Sequence, residues 1–172
     1  MPAFSTCDLC DDHQADASGA FRVLPPRWRE FAAAPSFAGE VSTVQCFEDN
    51  SLVRAALETP GAGRVLVVDG GGSQRTALLG GNLAALAVAH GWAGVVIDGC
   101  VRDVAELAAC PIGIRALGTC PMPPAKRGAG QRDVPVRLQG VGVRPGDWLY
   151  ADADGIVVLD RAATGSRQWY AR

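Results

Sequence analysis

The stretch Gly80 to Glu106, GGNLAALAVAHGWAGVVIDGCVRDVAE, constrains the fold more than any other part of the chain. It reads as a helix from about Asn82 to His90, a break at Gly91, a buried strand from Ala93 to Asp98, and a short helix from about Asp103 to Ala109. The preceding run RVLVVD, Arg64 to Asp69, is a second compact buried strand that passes directly into Gly70-Gly71-Gly72-Ser73. Thr76 to Leu79 is a further strand-like piece leading into the first helix. Strand, helix and strand in this order specify an α/β fold.

On the N-terminal side, Thr6 to Asp12 is predicted as a short capped helix, and Arg22 to Ala34 holds a Pro-Pro interruption followed by a turn. Gly39 to Phe47 alternates β-branched and polar residues as a strand does, and a helix near Asn50 to Glu58 ends at Pro60-Gly61. Beyond the central unit, IGIRALG, VPVRL, VGV, DWLYA and GIVVL are short strands separated by proline and glycine, so the C-terminal half is β-rich. Cys120 to Asp133, with three prolines and two glycines, is an extended loop or crossover. At 172 residues, without an internal repeat, the chain is expected to form one domain spanning 1–172.

Composition removes several classes of function. A chain that is 48% hydrophobic and 20% charged, with no apolar run of about 18 residues, is expected to be a globular protein that neither spans nor binds a membrane. The start MPAFSTCDLCDD has neither a basic n-region nor an apolar h-region, so a cytoplasmic location is expected. A net charge of −2 gives no footprint for direct nucleic-acid binding. The six cysteines, at 7, 10, 46, 100, 110 and 120, read as reduced thiols. Cys7-x-x-Cys10 with His13 resembles part of a zinc site, but no second pair follows at a recognisable spacing. The cysteines are read instead as small hydrophobes on the N-terminal helix.

Other motifs reduce to structure. Gly70-Gly71-Gly72-Ser73 lacks the Gly-Lys-Ser/Thr ending of a phosphate loop and is read as a tight turn near the mouth of a site. Only His13 and His90 are available for a nucleophilic triad, no G-x-S-x-G elbow occurs, and His90 suits a helix C-terminus. Asp152 and Asp154 fit the turn before GIVVL.

The chemistry gathers elsewhere. A glycine-led helix start at Gly80-Gly81-Asn82-Leu83 offers free backbone N–H groups to an anion. Arg102-Asp103, at the end of the strand, offers a fork for a carboxylate and an oxygen ligand for a hard cation, and Glu106 follows. As a dipeptide, Arg102-Asp103 reads as a structural salt bridge. Its ordered combination with the glycine helix start points to a metal-assisted site for a small carboxylate substrate.

The segments VVDGGGSQRTALLGG, GWAGVVIDGCVRD, IGIRALGT and PGDWLYADADGIVVL, in this order and spacing, resemble the RraA-like family over nearly the whole chain. That family includes the regulator of ribonuclease E activity A and metal-dependent 4-hydroxy-4-methyl-2-oxoglutarate aldolases. The resemblance implies a swivelling β/β/α domain and a homotrimer with active sites near subunit interfaces. It implies Mg²⁺ or Mn²⁺ as cofactor and a small 2-oxo acid as substrate. The expected reactions are cleavage of 4-hydroxy-4-methyl-2-oxoglutarate to two pyruvates and of 4-carboxy-4-hydroxy-2-oxoadipate to pyruvate and oxaloacetate, with oxaloacetate decarboxylation alongside.

Residue by residue, the resemblance makes Asp103 the metal ligand and Arg102 the contact that stabilises an enolate oxygen. Gly80, Gly81, Asn82 and Leu83 become the cradle for the pyruvyl carboxylate. Glu106 has two readings, a residue that orients a metal-bound water and an exposed glutamate in the first turn of a helix. The chain departs from the aldolase pattern at Gly81, where those members carry an acid, so Gly81→Asp is expected to raise aldolase activity if the missing carboxylate is limiting. With its tail to Arg172, the chain is also expected to lack the longer C-terminal extension of some aldolases. The alternative is a protein-binding regulator that inhibits ribonuclease E without chemistry, and a third reading is a trimeric scaffold that has lost its enzyme activity.

Overall fold

The computed structural model describes residues 4–163. The chain begins with helix α1 (Thr6–His13), capped by the Ser5 hydroxyl on the Asp8 N–H, followed by two short strands, β1 (Phe21–Val23) and β2 (Arg29–Glu30). Next come β3 (Phe37–Gln45), α2 (Ser51–Leu57), β4 (Val65–Asp69), β5 (Ala77–Leu79), α3 (Gly81–Ala89), β6 (Gly94–Val101), α4 (Val104–Ala109) and β7 (Gly113–Thr119). The C-terminal part supplies β8 (Gln131–Arg132), β9 (Val136–Leu138), β10 (Val141–Val143), β11 (Trp148–Ala151) and β12 (Ile156–Leu159). No helix among the described residues is long and apolar enough to cross a membrane.

One curled sheet runs in the order β1-β12-β11-β3-β4-β6-β7-β2, with β5 added on β6 and β8 on β3, while β9 and β10 form a separate hairpin. Strands β3, β4, β6 and β7 are parallel, and β11, β12, β1 and β2 join antiparallel. The nine-residue β3 joins the two regimes. Its first half, Phe37 to Glu40, pairs antiparallel with β11, and its second half, Val41 to Gln45, pairs parallel with β4.

The central strands β4 and β6 are largely apolar on both faces because both faces are covered. In β4, Leu66 and Val68 enter the helix-side core, whereas Val65 and Val67 enter a second core with Val136, Leu138 and Leu149. β12 alternates in the same way, Ile156 and Val158 facing that second core and Val157 and Leu159 facing Leu9 of α1. Each such valine or leucine contributes roughly 1.5–3 kcal/mol by leaving water.

Two sequence expectations change. Strand β6 does not stop at Asp98 but continues to Val101, with a register shift against β7 between Ile97 and Cys100. The extension is held by β5, through Ala77 opposite Cys100 and Leu79 opposite Val101, a pairing that no local pattern announces. Arg22 to Ala34 is likewise more than an interruption and a turn. β1 and β2 exist because β12 and β7 offer them open edges, not because of their own alternation.

Phe37 seats its ring on two bare glycines, Gly94 and Gly113, which are register partners at the starts of β6 and β7. A Cβ on either would overlap the ring. Gly94→Ala is therefore expected to destabilise the fold by about 1–3 kcal/mol, the usual cost of overpacking. A urea midpoint unchanged from the parent would sink this reading of the contact.

Candidate functional site

The site lies where β5 and β6 end side by side. β5 passes into Gly80, the N-cap of α3, and β6 passes into Arg102 and then Asp103, the N-cap of α4. The Arg102 N–H donates to Leu79 O at 2.9 Å, which fixes the two strand ends against each other. Asp103 Oδ2 accepts from the Gly81 N–H at 3.1 Å, and Asp103 Oδ1 accepts from Arg102 Nε at 3.3 Å. One carboxylate thus ties both helix starts together and brings Gly80, Gly81, Arg102 and Asp103 to one place.

Asp103 has φ 58 and ψ 44, the left-handed region. A non-glycine residue there costs about 1–2 kcal/mol, less for Asp and Asn. The Arg102–Asp103 ion pair, with side chains 38% and 34% exposed, is a surface contact of the kind that contributes about 0–1 kcal/mol. Glu48, Ala62, Asp133 and Gln139 share this left-handed conformation, so the backbone at 103 marks a turn between β6 and α4 that an aspartate fits at little cost.

The two glycines have different reasons to be bare. A Cβ on Gly80 would overlap Asp103 Oδ2 and touch Arg102 Cγ at 3.0 Å. A Cβ on Gly81 would overlap Glu106 Oε2 and lie 2.8 Å from Glu106 Cδ. The volume that a side chain at 81 would take is filled by the Glu106 carboxylate. This revises the expectation for Gly81→Asp, because an acid at 81 enters a space that already holds one.

The cradle is narrower than the four residues Gly80 to Leu83 suggested. The Leu83 N–H donates to Gly80 O at 3.1 Å and its side chain is buried in the helix-side core, while the Gly81 N–H is engaged by Asp103. The Asn82 N–H is left as the orphan donor of the first helical turn.

The donor set suits a hard cation that keeps most of its water. Asp103 presents oxygen only, and its carboxylate has more lone-pair positions than its two donors use. Among the described residues no group of three or more His, Cys, Asp or Glu could hold a metal. A cation here would thus have one protein carboxylate as direct ligand, with Glu106 close beside it.

The other sequence candidates fall outside this cluster. Gly70 to Ser73 is a tight turn with Gly71 and Gly72 at φ 66 and 68, closed by the Gly72 N–H on Asp98 O at 3.1 Å. His90 caps the end of α3, its Nδ1 3.0 Å from Leu86 O. Asp152 holds the start of α1 through the Thr6 N–H and hydroxyl, at 2.7 and 2.6 Å, besides organising its own turn. The six cysteines are free thiols, and burial pushes the Cys46 thiol up to about 12. The tail 164–172 lies outside the described residues.

Two features near the site were not read from the sequence. Asn50 Nδ2 donates to Leu78 O at 3.2 Å and steadies the strand that leads into Gly80. Val104, directly after Asp103, exposes a large apolar side chain, as Phe47 and Met122 do elsewhere on the surface. Their exposure follows from pairing and loop path, so periodicity alone could not single them out.

Fold and site together define an α/β domain of the swivelling β/β/α type, in which one carboxylate and one arginine face a glycine-led helix start. The sequence model of the RraA-like family, described as Aldolase/RraA, matches residues 6–158, and the chain belongs to that family. A relative from Albidiferax ferrireducens, provisionally named a 4-hydroxy-4-methyl-2-oxoglutarate aldolase, is 63% identical over 165 residues, covering 91% of this chain and 95% of that protein. The solved structure of the RNA-processing inhibitor RraA from Thermus thermophilis is similar at TM-score 0.90 and 49% identity, covering 97% of this chain and 98% of that one. A structure from Geobacillus kaustophilus, described as an S-adenosylmethionine:2-dimethylmenaquinone methyltransferase, gives TM-score 0.84 and 48% identity over 92% of this chain and 96% of that one.

Proposed function

We propose that this chain is a divalent-metal-dependent lyase. In this reading it cleaves 4-hydroxy-4-methyl-2-oxoglutarate to two pyruvates and 4-carboxy-4-hydroxy-2-oxoadipate to pyruvate and oxaloacetate, and it decarboxylates oxaloacetate. The observation that carries the proposal is the meeting of Arg102, Asp103 and Glu106 at the glycine start of α3. The provisional aldolase name of the Albidiferax relative supports it.

A Mg²⁺ or Mn²⁺ ion held by Asp103 supplies Lewis acidity toward the 2-oxo acid. The substrate carboxylate binds at the first turn of α3, which the bare Gly80 and Gly81 leave open to close approach. Arg102 stabilises the negative charge that grows on the C2 oxygen. Glu106 accepts the proton of the C4 hydroxyl as the C3–C4 bond breaks; its electron pair becomes the C2–C3 double bond of the enolate, and C4 becomes a carbonyl. Return of that proton to C3 completes pyruvate. With oxaloacetate the same bond breaks to release CO₂, and C3 is protonated without need of a base at C4.

The reading includes a homotrimer in the cytoplasm, which rests on the family resemblance; exposed Val104, next to Asp103, is compatible with a subunit contact near the site.

The test is pyruvate release from 4-hydroxy-4-methyl-2-oxoglutarate and, separately, from oxaloacetate, with Mg²⁺ or Mn²⁺ and with chelator. Metal-dependent turnover of both is expected, and none of either would end the proposal. Arg102→Ala is expected to keep Mn²⁺ binding, followed by electron paramagnetic resonance, and to lose turnover by about 10² or more. Full activity in that variant would remove Arg102 from the mechanism. The likeness to the Thermus RNA-processing inhibitor favours one second reading, a regulator that binds ribonuclease E. Inhibition of ribonuclease E by the chain without metal-dependent turnover would put it first.

A further inference from the structure

Cys7 is the exposed one of the six cysteines, although cysteine is among the residue types most often buried. Packing accounts for Cys10, which lies half-buried against the cluster of Tyr150, Val157 and Leu159. It gives no account of Cys7, so the reading of both thiols as small hydrophobes holds for one of them only.

Both cysteines sit on α1, Cys7 in its first turn and Cys10 three residues on. With a helix radius of about 2.3 Å and a rise of about 1.5 Å per residue, their Cα atoms are about 5 Å apart, inside the roughly 4.4–6.8 Å span of a disulfide. Their Cβ atoms start somewhat farther apart than a disulfide needs. A slight tightening of the turn toward 3₁₀ geometry, in which side chains at i and i+3 eclipse, brings them together. The start of α1 is anchored by other groups. The Thr6 N–H and hydroxyl donate to the Asp152 carboxylate at 2.7 and 2.6 Å, the Ser5 hydroxyl accepts from the Asp8 N–H at 3.3 Å, and Leu9 is buried against β11 and β12. The anchored turn keeps the second thiol at the first, so that closure is intramolecular.

The other cysteines are placed differently. Cys46 and Cys100 are buried, and the thiols of Cys110 and Cys120 donate to Glu106 O at 3.4 Å and Arg75 O at 3.2 Å. Beside Cys7, the Asp154 carboxylate on the β11–β12 turn pushes the thiol pKa up, and partial desolvation and Asp152 act in the same direction. Only a thiolate attacks, so this neighbour slows Cys7 without disabling it.

We propose that Cys7 and Cys10 are a dithiol that closes reversibly to a disulfide by exchange with a low-molecular-weight disulfide of the glutathione type, Cys7 attacking first. The Cys7 thiolate attacks one sulfur of the small disulfide, forming a mixed disulfide and releasing one small thiolate. The Cys10 thiolate then attacks the Cys7 sulfur and releases the second. The protein gives up two electrons and two protons, and the small disulfide takes up both as two thiols. None of these groups belongs to the cluster of Arg102, Asp103 and Glu106.

The test incubates the full-length protein with oxidised and reduced glutathione at set ratios, quenches with acid and N-ethylmaleimide, and reads intact and peptide masses. A species lighter by two hydrogens is expected, mapped to the peptide that carries Cys7 and Cys10 and reversed by reduced glutathione. Cys10→Ser is expected to stop at the first step, so that the glutathione adduct on Cys7 accumulates at least about tenfold over the parent. Asp154→Asn, which removes the charge that keeps Cys7 protonated, is expected to speed closure about threefold or more. A protein that keeps all six thiols in oxidised glutathione, or a loss of two hydrogens mapped to another pair, would overturn the proposal. So would a rate left unchanged or lowered by Asp154→Asn, which would take the attack away from Cys7.

Discussion

Asp103→Asn is expected to abolish metal-dependent pyruvate release, by at least about a thousandfold, while the protein stays folded. Asparagine is the right replacement because it tolerates the left-handed backbone at 103 and keeps an oxygen for the Gly81 N–H, so the only large loss is the negative charge. Alanine would add backbone strain and remove the acceptor, confounding the readout. Thermal unfolding should therefore move little, while Mn²⁺ binding and turnover are lost together. Activity within tenfold of the parent would take the metal ligand elsewhere.

The second large effect concerns a shared volume. Glu106→Ala is expected to lower aldol cleavage by about 10²–10⁴, the usual weight of a positioned acid or base. Gly81→Asp alone should also lower it, because the new side chain overlaps the Glu106 carboxylate. The double variant Gly81→Asp, Glu106→Ala vacates the space before filling it from the other helix, and it should recover much of the lost rate. Oxaloacetate decarboxylation, which needs no base at C4, should fall less than aldol cleavage in Glu106→Ala. A double variant no better than Glu106→Ala would mean that the carboxylate at 106 does not move the proton.

These expectations mark what the sequence carried and where it stopped. RVLVVD, GVVID and the intervening helix were legible because parallel strands covered on both faces are apolar at every position, a signal independent of partners. The extension of β6 past Asp98 was not, because Gly99 and Cys100 are in a strand only through β5 on one side and β7 on the other. β1 and β2 were missed for the same reason, being too short to show alternation. Within the site, Gly80 and Arg102-Asp103 were identifiable as chemistry-bearing types at strand and helix ends. The relation between Gly81 and Glu106 was not, since 25 positions separate them and only the packing of α3 on α4 makes one the other's neighbour.

Asp98 teaches a related lesson. It looked like the polar end of a strand, yet it is 3% exposed, and burial raises its carboxyl pKa while the amide of Gln139, donating at 2.7 Å, opposes the rise and nearby Asp69 adds to it. The β9–β10 turn delivers Gln139 from 41 residues away. Satisfaction of a buried polar group is a tertiary property, and no local pattern could have supplied the partner.

The left-handed backbone at Asp103 also sets how this protein can drift. Glycine, asparagine and aspartate are the residues that occupy such a conformation with least strain, and of these only aspartate offers an anionic oxygen. Glutamate enters the left-handed region at a somewhat higher cost, though Glu48 of this chain does so at φ 53. In the genetic code, an aspartate codon becomes an asparagine or a glycine codon by one nucleotide change. On the proposed metal-binding role of Asp103, the two mutations easiest to tolerate at this position are thus the ones that would silence the chemistry and spare the scaffold, and a lineage of this fold would pass from enzyme to inert framework without crossing an unfolded intermediate.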